Sequence, residues 1–283
     1  MTTIAYLGPE HTNTHLAAQA KFGSRSQYRH EPTVDDVFTA VERDRAEYGV
    51  VPIENSLEGA VTHTLDRFSE FVDTPVQIHG EIELQIKHCL IVKPKSQLRD
   101  IVVVFSHPQA LAQCRHWLQR HLPNALISET SSTSEAVEES LRMEPNDRWL
   151  PQHKAAIARK ELAEIYKLRA LVIPEDRENK TRFLVLGKGE PRKGRSNKTS
   201  IFFGVKDRPG ALYDALVPFK HHKINLTKIE SRPSKRKAWE YLFFIDFTGH
   251  VSEPRVKRAL AALKRSTSFL RVLGSYPVTG KVS

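Results

Sequence analysis

From Thr3 to about Gly187, short apolar runs alternate with segments of helical period, and this alternation restricts the fold more than any other feature of the chain. Strands separated by helices pair into an open sheet with helices on its faces, an α/β arrangement. Thr33–Arg43 is the clearest helix: Val34, Val37, Phe38 and Val41 recur at i, i+3, i+4 and i+7 and form one buried stripe, with the Asp and Arg residues turned outward. Strands are expected at Thr3–Leu7, Tyr48–Pro52, Ile82–Val92, Ile101–Phe105, Ala125–Glu129, Ala155–Ile157 and Leu171–Ile173.

Between Ile78 and Val92 the apolar residues fall at 78, 82, 84, 86, 90 and 92, a period-2 stretch too long for one ordinary strand. It reads as a crossover between two lobes. Gly187–Lys198 is rich in Gly, Pro, Lys and Arg and has no period, so it reads as an exposed linker, with a second domain beginning near Thr199. That domain runs strand (Thr199–Val205), helix (Ala211–His221), strand (Asn225–Ser231), strand (Trp239–Thr248), helix (Pro254–Arg265) and strand (Phe269–Tyr276). The order βαββαβ is ferredoxin-like. A chain of 283 residues suits two such units at about 100–200 residues per domain.

Composition narrows the class. Hydrophobic residues are 40% and charged residues 27%, an ordinary globular balance. Met1 leads into Thr3–Leu7 with no basic-then-apolar leader, and no apolar run approaches the ~20 residues that span a bilayer, so a soluble, unexported protein with no membrane partner is expected. Cys89 and Cys114 form no CxxC pair and the thirteen histidines show no ligand spacing, which indicates neither disulfides nor a metal site and fits a reducing cytoplasm. The net charge of +10 suits nucleic acid, an acidic surface or an anionic small substrate. Its basic runs, Arg192–Lys198, Arg232–Lys237 and Arg255–Arg265, lack the aromatic interleaving of a stacking platform and read as solvated loops and helix faces, so no nucleic acid is expected.

Four times an apolar strand ends in hydroxyl or amide residues that open a helix: Gly8-Pro9-Glu10-His11-Thr12, Glu54-Asn55-Ser56, Ser106-His107-Pro108-Gln109 and Thr130-Ser131-Ser132-Thr133. Such loops sit at the carboxy ends of strands, where open α/β sheets bind ligands, and they aim backbone N–H groups at one point, which suits a carboxylate. Taken singly, Ser106 and Ser132 read first as ordinary helix caps, a reading that four such loops together weaken. Residues 178–183, ENKTRF, set a hydroxyl beside a guanidinium ahead of an apolar run; by spacing alone this is an exposed turn with Arg182 solvated. No Ser/His/Asp order, phosphate-cradling Gly loop or HExxH is present, so a reaction without cofactor is the simplest enzymatic reading.

The strings VVPIENSLEGAV, SHPQALAQC, TSSTSEAV, ENKTRFLVLG, GALYDAL and INLTKIESRP occur in this order over essentially the whole chain. Together they resemble the prephenate dehydratases that carry an appended ACT domain. The resemblance implies a two-lobed, periplasmic-binding-protein-like (type II) catalytic domain over 1–188, with one lobe at about 1–80 plus 175–188 and the other at about 81–174. It implies a linker over 189–198 and an ACT domain over 199–276. It implies conversion of prephenate to phenylpyruvate without cofactor or metal, and inhibition by phenylalanine.

By the same resemblance Thr181 is essential and donates to the leaving hydroxyl, with Arg182 and Phe183 fixing its position or contacting substrate. Asn55, Ser106 and Gln113 act beside it, and Thr12, Ser56, Gln109, Thr130 and Ser132 line a cleft between lobes. The effector site is implied at a dimer interface, where Gly210, Ala211 and Leu212 meet Glu230, Ser231, Arg232 and Pro233, with Asn225 nearby, in a homodimer or homotetramer. One motif departs: where the family has GPxGTF, this chain has His11 and Asn13 around Thr12. A side chain at 11 is expected to force φ back to ordinary values or narrow the pocket. This keeps open a protein that binds ligand but has lost catalysis, against which the intact Thr181-Arg182-Phe183 argues.

Overall fold

The computed structural model describes residues 1–70, 74–143, 153–174, 179–234 and 241–278. The chain runs β1 (Thr3–Leu7), α1 (Asn13–Phe22), β2 (Gln27–Glu31), α2 (Val34–Glu42), β3 (Tyr48–Asn55), β4 (Gly59–Ala60), α3 (Thr62–Glu70), β5 (Val76–Gln85), β6 (Cys89–Val92), β7 (Val103–Ser106), α4 (Pro108–Gln113), α5 (Arg115–His121), β8 (Leu126–Glu129), α6 (Thr133–Leu141), β9 (Lys154–Ala158), α7 (Lys160–Ile165), β10 (Arg169–Val172) and β11 (Lys180–Lys188). It continues as β12 (Asn197–Gly204), α8 (Ala211–His221), β13 (Leu226–Pro233), β14 (Tyr241–Thr248), α9 (Pro254–Ser266) and β15 (Phe269–Pro277). Two units result, one of residues 1–8, 17–84 and 181–283, the other of 9–16 and 85–180.

In the first unit one sheet has the order β2-β1-β3-β11-β5, with β4 added to β3. β1 lies parallel to β2 and β3, and β11 returns antiparallel to β3. α2 shows why sequence dictates element: the Thr33 hydroxyl caps Asp36 N–H, Asp35 and Asp36 face the positive end of the helix dipole, and Val37, Phe38, Ala40 and Val41 are buried.

The C-terminal sheet has the order β13-β14-β12-β15, all neighbours antiparallel, and its βαββαβ chain order is the ferredoxin-like one. Period-2 alternation splits its side chains between two cores. Ile201, Phe203, Ile245 and Phe247 pack with Phe219, Val256 and Leu263 of its own helices. Phe202, Leu242, Phe244 and Leu273 join Phe38, Phe68, Ile78, Leu184 and Leu186 of the first sheet's layer. The strands approach so closely that a Cβ on Gly274 of β15 would collide with the Ile78 carbonyl of β5.

The second unit holds the sheet β10-β6-β9-β7-β8, in which β7 is parallel to β8 and β9, and β6 antiparallel to β9 and β10. Leu90, Val104, Leu118 and Ile157 fill one face, and Ile91, Val137, Ala156 and Leu162 the other. Among the described residues no helix is long and apolar enough to cross a membrane.

Several expectations are corrected. Glu54-Asn55-Ser56 does not open a helix: β3 keeps its pairing with β11 to Asn55, and α3 starts only at Thr62. The strand expected at Ile82–Val92 is not one strand: its residues divide between the end of β5 and β6, in different sheets. The linker is shorter than expected, because Gly187 and Lys188 belong to β11 and Asn197 and Lys198 to β12. Asn197 closes the loop by exchanging hydrogen bonds with the Gly194 backbone at 2.8 and 2.9 Å. Lys198 is not solvated; its ammonium sits 2.6 Å from Glu81. Of the expected strand Trp239–Thr248, Trp239 and residue 240 lie outside the described residues, as do Lys235–Lys237 of the second basic run and Glu178.

Candidate functional site

β3 and β11 set Asn55 directly opposite Thr181 and Glu54 opposite Arg182, with a bulge between Arg182 and Phe183. Bulges re-aim side chains at the ends of strands. Here the Asn55 Nδ2 donates to Thr181 Oγ1 at 3.0 Å, both residues being buried. The amide cannot turn over without loss, because its Oδ1 accepts from the backbone N–H of Leu57 (2.9 Å) and Glu58 (3.2 Å). Thr181 Oγ1 is therefore an acceptor toward Asn55, and its own proton is left for another acceptor. An N–H pointed at a hydroxyl oxygen stabilises negative charge there, so it strengthens that hydroxyl as a donor.

Alternation along β11 turns Arg182 to the opposite face. Its guanidinium meets Glu54 (2.5 Å), Asp246 (3.0 Å) and Glu81 (3.3 Å). Burial opposes its charge, yet Asp246, Glu54 and Glu81 together raise its pKa above the already high arginine value. Burial likewise opposes ionisation of Glu54, but Lys228 and Arg182 hold that carboxyl below the usual range. Phe183 is packed among Ile4, Tyr6, Val50 and Ile82. Neither the solvated nor the substrate-contacting reading of Arg182 describes this arrangement: three carboxylates occupy its guanidinium, and Phe183 is core. Ser56 is exposed in the turn after β3.

In the second unit the Thr12 hydroxyl accepts from His15 N–H at 3.3 Å. His11 keeps a left-handed φ of 62°, contrary to the expectation that a side chain would force it back. Its backbone N–H donates to His15 Nδ1 at 3.0 Å, which holds that conformation, while Asn13 Oδ1 accepts from Arg159 at 3.1 Å. Ser106 neither caps a helix nor faces solvent; fully buried, it donates to the Ile157 carbonyl at 2.6 Å, and His107 caps α4 instead. Ser132 is a true cap, accepting from Glu135 N–H at 3.1 Å, and Thr130 donates to the Ser132 carbonyl at 2.9 Å. Gln109 is exposed.

Gln113 is the best anchored of this group. Its Oε1 lies 2.7 Å from His88 Nε2 and accepts from Asn179 Nδ2 at 2.8 Å, with His88 and Asn179 both buried. Sequence reasoning missed these two partners. Asn179 stands two residues before Thr181, the one signal that points to it; His88 carries no spacing signal at all.

In the C-terminal sheet Gly210 takes φ 78° at the start of α8, with open space where a Cβ would stand. Ala211 is buried and Leu212 packs on the helix-side core. Glu230, Ser231, Arg232 and Pro233 lie on β13, the edge strand. Arg232 is turned to Asp66 of α3, at 3.0 and 3.3 Å, rather than toward the edge. Asn225 precedes β13 with its side chain exposed.

The family model described as prephenate dehydratase matches residues 4–191, and the ACT domain model matches residues 199–265. A bifunctional chorismate mutase/prephenate dehydratase from Aquifex aeolicus is 49% identical over 276 residues, 97% of this chain and 73% of that protein. A prephenate dehydratase from Methanocaldococcus jannaschii is 41% identical over 251 residues, 87% of this chain and 86% of that one. The solved structure of prephenate dehydratase from Arthrobacter aurescens in complex with L-Phe matches with TM-score 0.85 at 33% identity, covering 97% of this chain and 89% of that one.

Proposed function

The chain belongs to the prephenate dehydratase family, and from that premise we propose that its Thr181–Asn55 pair delivers the proton the reaction demands. The enzyme converts prephenate to phenylpyruvate, with L-phenylalanine as its feedback inhibitor. The bond from the ring to its carboxylate breaks and leaves its electron pair in the ring as carbon dioxide departs. The ring C–O bond breaks with its pair on oxygen, and that oxygen leaves as water only if a proton meets it. Thr181 donates this proton, the Asn55 N–H stabilises the charge left on Oγ1, and bulk water restores the hydroxyl. Aromatisation drives the step.

The observation that carries this reading is the 3.0 Å bond from Asn55 to Thr181, with the amide locked by two backbone N–H groups. We assign Gln113, held by His88 and Asn179, and Thr12, Ser56, Gln109, Thr130 and Ser132 to the recognition of substrate carboxylates. Ser106 supports the β7–β9 pairing through Ile157, and Arg182 and Phe183 support β11. Residues 1–188 form the catalytic part in this scheme, 189–196 the linker and the sheet that begins at Asn197 the regulatory part. L-phenylalanine is placed near Gly210–Leu212, Asn225 and the β13 edge at Glu230–Pro233. A second copy completes that site in a homodimer or homotetramer: among the described residues no strand pairs with the outer edge of β13, and Ile229 on it and Tyr213 on α8 are exposed. The two buried thiols suit a cytoplasmic location.

Comparing Thr181→Ala with Thr181→Ser tests the assignment. Phenylpyruvate formation from prephenate falls by ~100-fold or more in the alanine variant, the scale of lost acid catalysis, and is largely kept by serine. Equal rates in wild type and Thr181→Ala would remove Thr181 from the chemistry. Assaying arogenate alongside settles which side chain, keto or amino, the site prefers.

A further inference from the structure

The guanidinium next to Thr181 belongs to a network of three cations and three carboxylates, buried except at Glu54, whose side chain is 36% exposed. Arg182 binds Glu54, Glu81 and Asp246; Lys228 binds Glu54 at 2.8 Å; and Lys198 binds Glu81 at 2.6 Å. Lys228 is 9% exposed and Arg182 16%. Ser200 donates to the second oxygen of Asp246 at 2.6 Å and meets the Tyr276 hydroxyl at 2.9 Å, so Asp246 is held from both sides. Charges removed from water keep their pairings strictly, because an unpaired member costs far more than on a surface.

The placement of the six residues is what gives the network meaning. Glu54 and Arg182 face each other in register, each one residue from the Asn55–Thr181 pair. Asp246, Lys198 and Lys228 come from β14, β12 and β13 of the C-terminal sheet. Lys228 lies two residues before Glu230, on the edge strand that carries the assigned effector residues, beside a register shift between Leu226 and Lys228. The apolar contact beneath, Phe202 and Phe244 with Ile78 and Leu184, and the backbone approach of Gly274 to Ile78 leave little room for slippage. A shift of β13 or β14 therefore moves Glu54 and Arg182, or breaks a desolvated pair.

Resting on the functional reading above, we infer that the Lys228–Glu54 and Asp246–Arg182 pairs couple the effector site to the catalytic hydrogen bond. Phenylalanine bound at the β13 edge displaces Lys228, Glu54 follows, and the Asn55 amide loses its aim at Thr181. Arg182 is a positioning residue in this scheme: it sets the strand that carries Thr181 and touches no substrate. Coupling requires that the ligand distinguish two states of this network, which the ion pairs supply as a discrete made-or-broken contact.

The test uses Lys228→Met, which keeps the aliphatic stem, and Asp246→Asn in the full-length protein, with Lys228→Arg as the variant that retains an ion pair with Glu54. Turnover of prephenate is measured against L-phenylalanine concentration, and L-phenylalanine affinity is measured separately by calorimetry. The expected result is that Lys228→Met and Asp246→Asn bind phenylalanine within about 3-fold of wild type but lose most of the inhibition, on the order of the 5–150-fold range of allosteric couplings, while Lys228→Arg keeps it. Full inhibition at saturating phenylalanine in both Lys228→Met and Asp246→Asn, even with a lowered Tm, overturns the coupling role and reduces the network to a structural one. A wild type that turns over but is not inhibited overturns the regulatory reading and this inference together, whereas inhibited wild type with equally inhibited Lys228→Met and Asp246→Asn overturns this inference alone.

Discussion

Replacing Asn55 by aspartate separates the catalytic use of its amide from its structural use. The two side chains have the same shape. In Asn55→Asp one carboxylate oxygen still accepts from the N–H groups of Leu57 and Glu58, bonds of 2.9 and 3.2 Å in the native chain, so the turn after β3 keeps its anchor. The other oxygen stands where Nδ2 stood, 3.0 Å from Thr181 Oγ1, and the direction of that bond reverses: Thr181 must donate its proton to the carboxylate. The proton needed by the departing hydroxyl is then engaged, and the N–H that stabilised Oγ1 is gone. Loss of one donor of this kind costs about 2.7–4 kcal/mol, or 10²–10³ in kcat. By contrast Asn55→Ala deletes the bond to Thr181 and both bonds that anchor the turn, at about 1 kcal/mol each, and lowers stability as well. Phenylpyruvate production and thermal melting measured on the same preparations decide the matter. The expected Asn55→Asp enzyme melts within a few degrees of wild type and has kcat reduced by about 10²–10³. A kcat within about tenfold of wild type would refute the claim that the amide activates Thr181.

Three further outcomes follow from packing and charge. Gly274→Ala places a methyl group against the Ile78 backbone, including its carbonyl carbon at 2.9 Å, and the overpacking costs about 1–3 kcal/mol, read as a lowered Tm. Gly210→Ala meets no steric neighbour but forces a left-handed residue at φ 78°, so stability falls by about 1 kcal/mol and phenylalanine affinity, measured by calorimetry, weakens with the displaced loop. Burial holds the His79 imidazole below its ordinary value of 6.5, against a smaller opposing effect of its contact with the Gly189 carbonyl at 3.1 Å. The unfolded chain therefore takes up the proton first, and stability that is complete above about pH 6.5 declines as pH falls through that value, a decline that denaturant titrations of His79→Gln should show flattened.

The parts of the fold written in local period were legible. The α2 stripe, the βαββαβ order and the break between two sheets after Ile78 all follow from residue spacing. β2 was not anticipated, because Gln27–Glu31 is a polar edge strand with little buried surface and carries no alternation to read. At the site, Thr181 and Asn55 were named through resemblance, but their pairing depends on the antiparallel register of β3 and β11, which are far apart in sequence. The ion pairs of Arg182 were not legible for the same reason: its partners Glu54, Glu81 and Asp246 come from β3, β5 and β14, and no local pattern announces them. His11 shows the limit of a residue-by-residue rule, since the His15 imidazole holds the strained backbone that glycine would adopt freely.

The most direct measurement is phenylpyruvate formation from prephenate by the purified wild-type chain, with and without L-phenylalanine. The account predicts turnover without added metal or cofactor, suppressed by phenylalanine. Absence of turnover from a folded chain that binds phenylalanine tightly would contradict it, and would mean that His11 and Asn13 mark a sensor that has lost its enzyme.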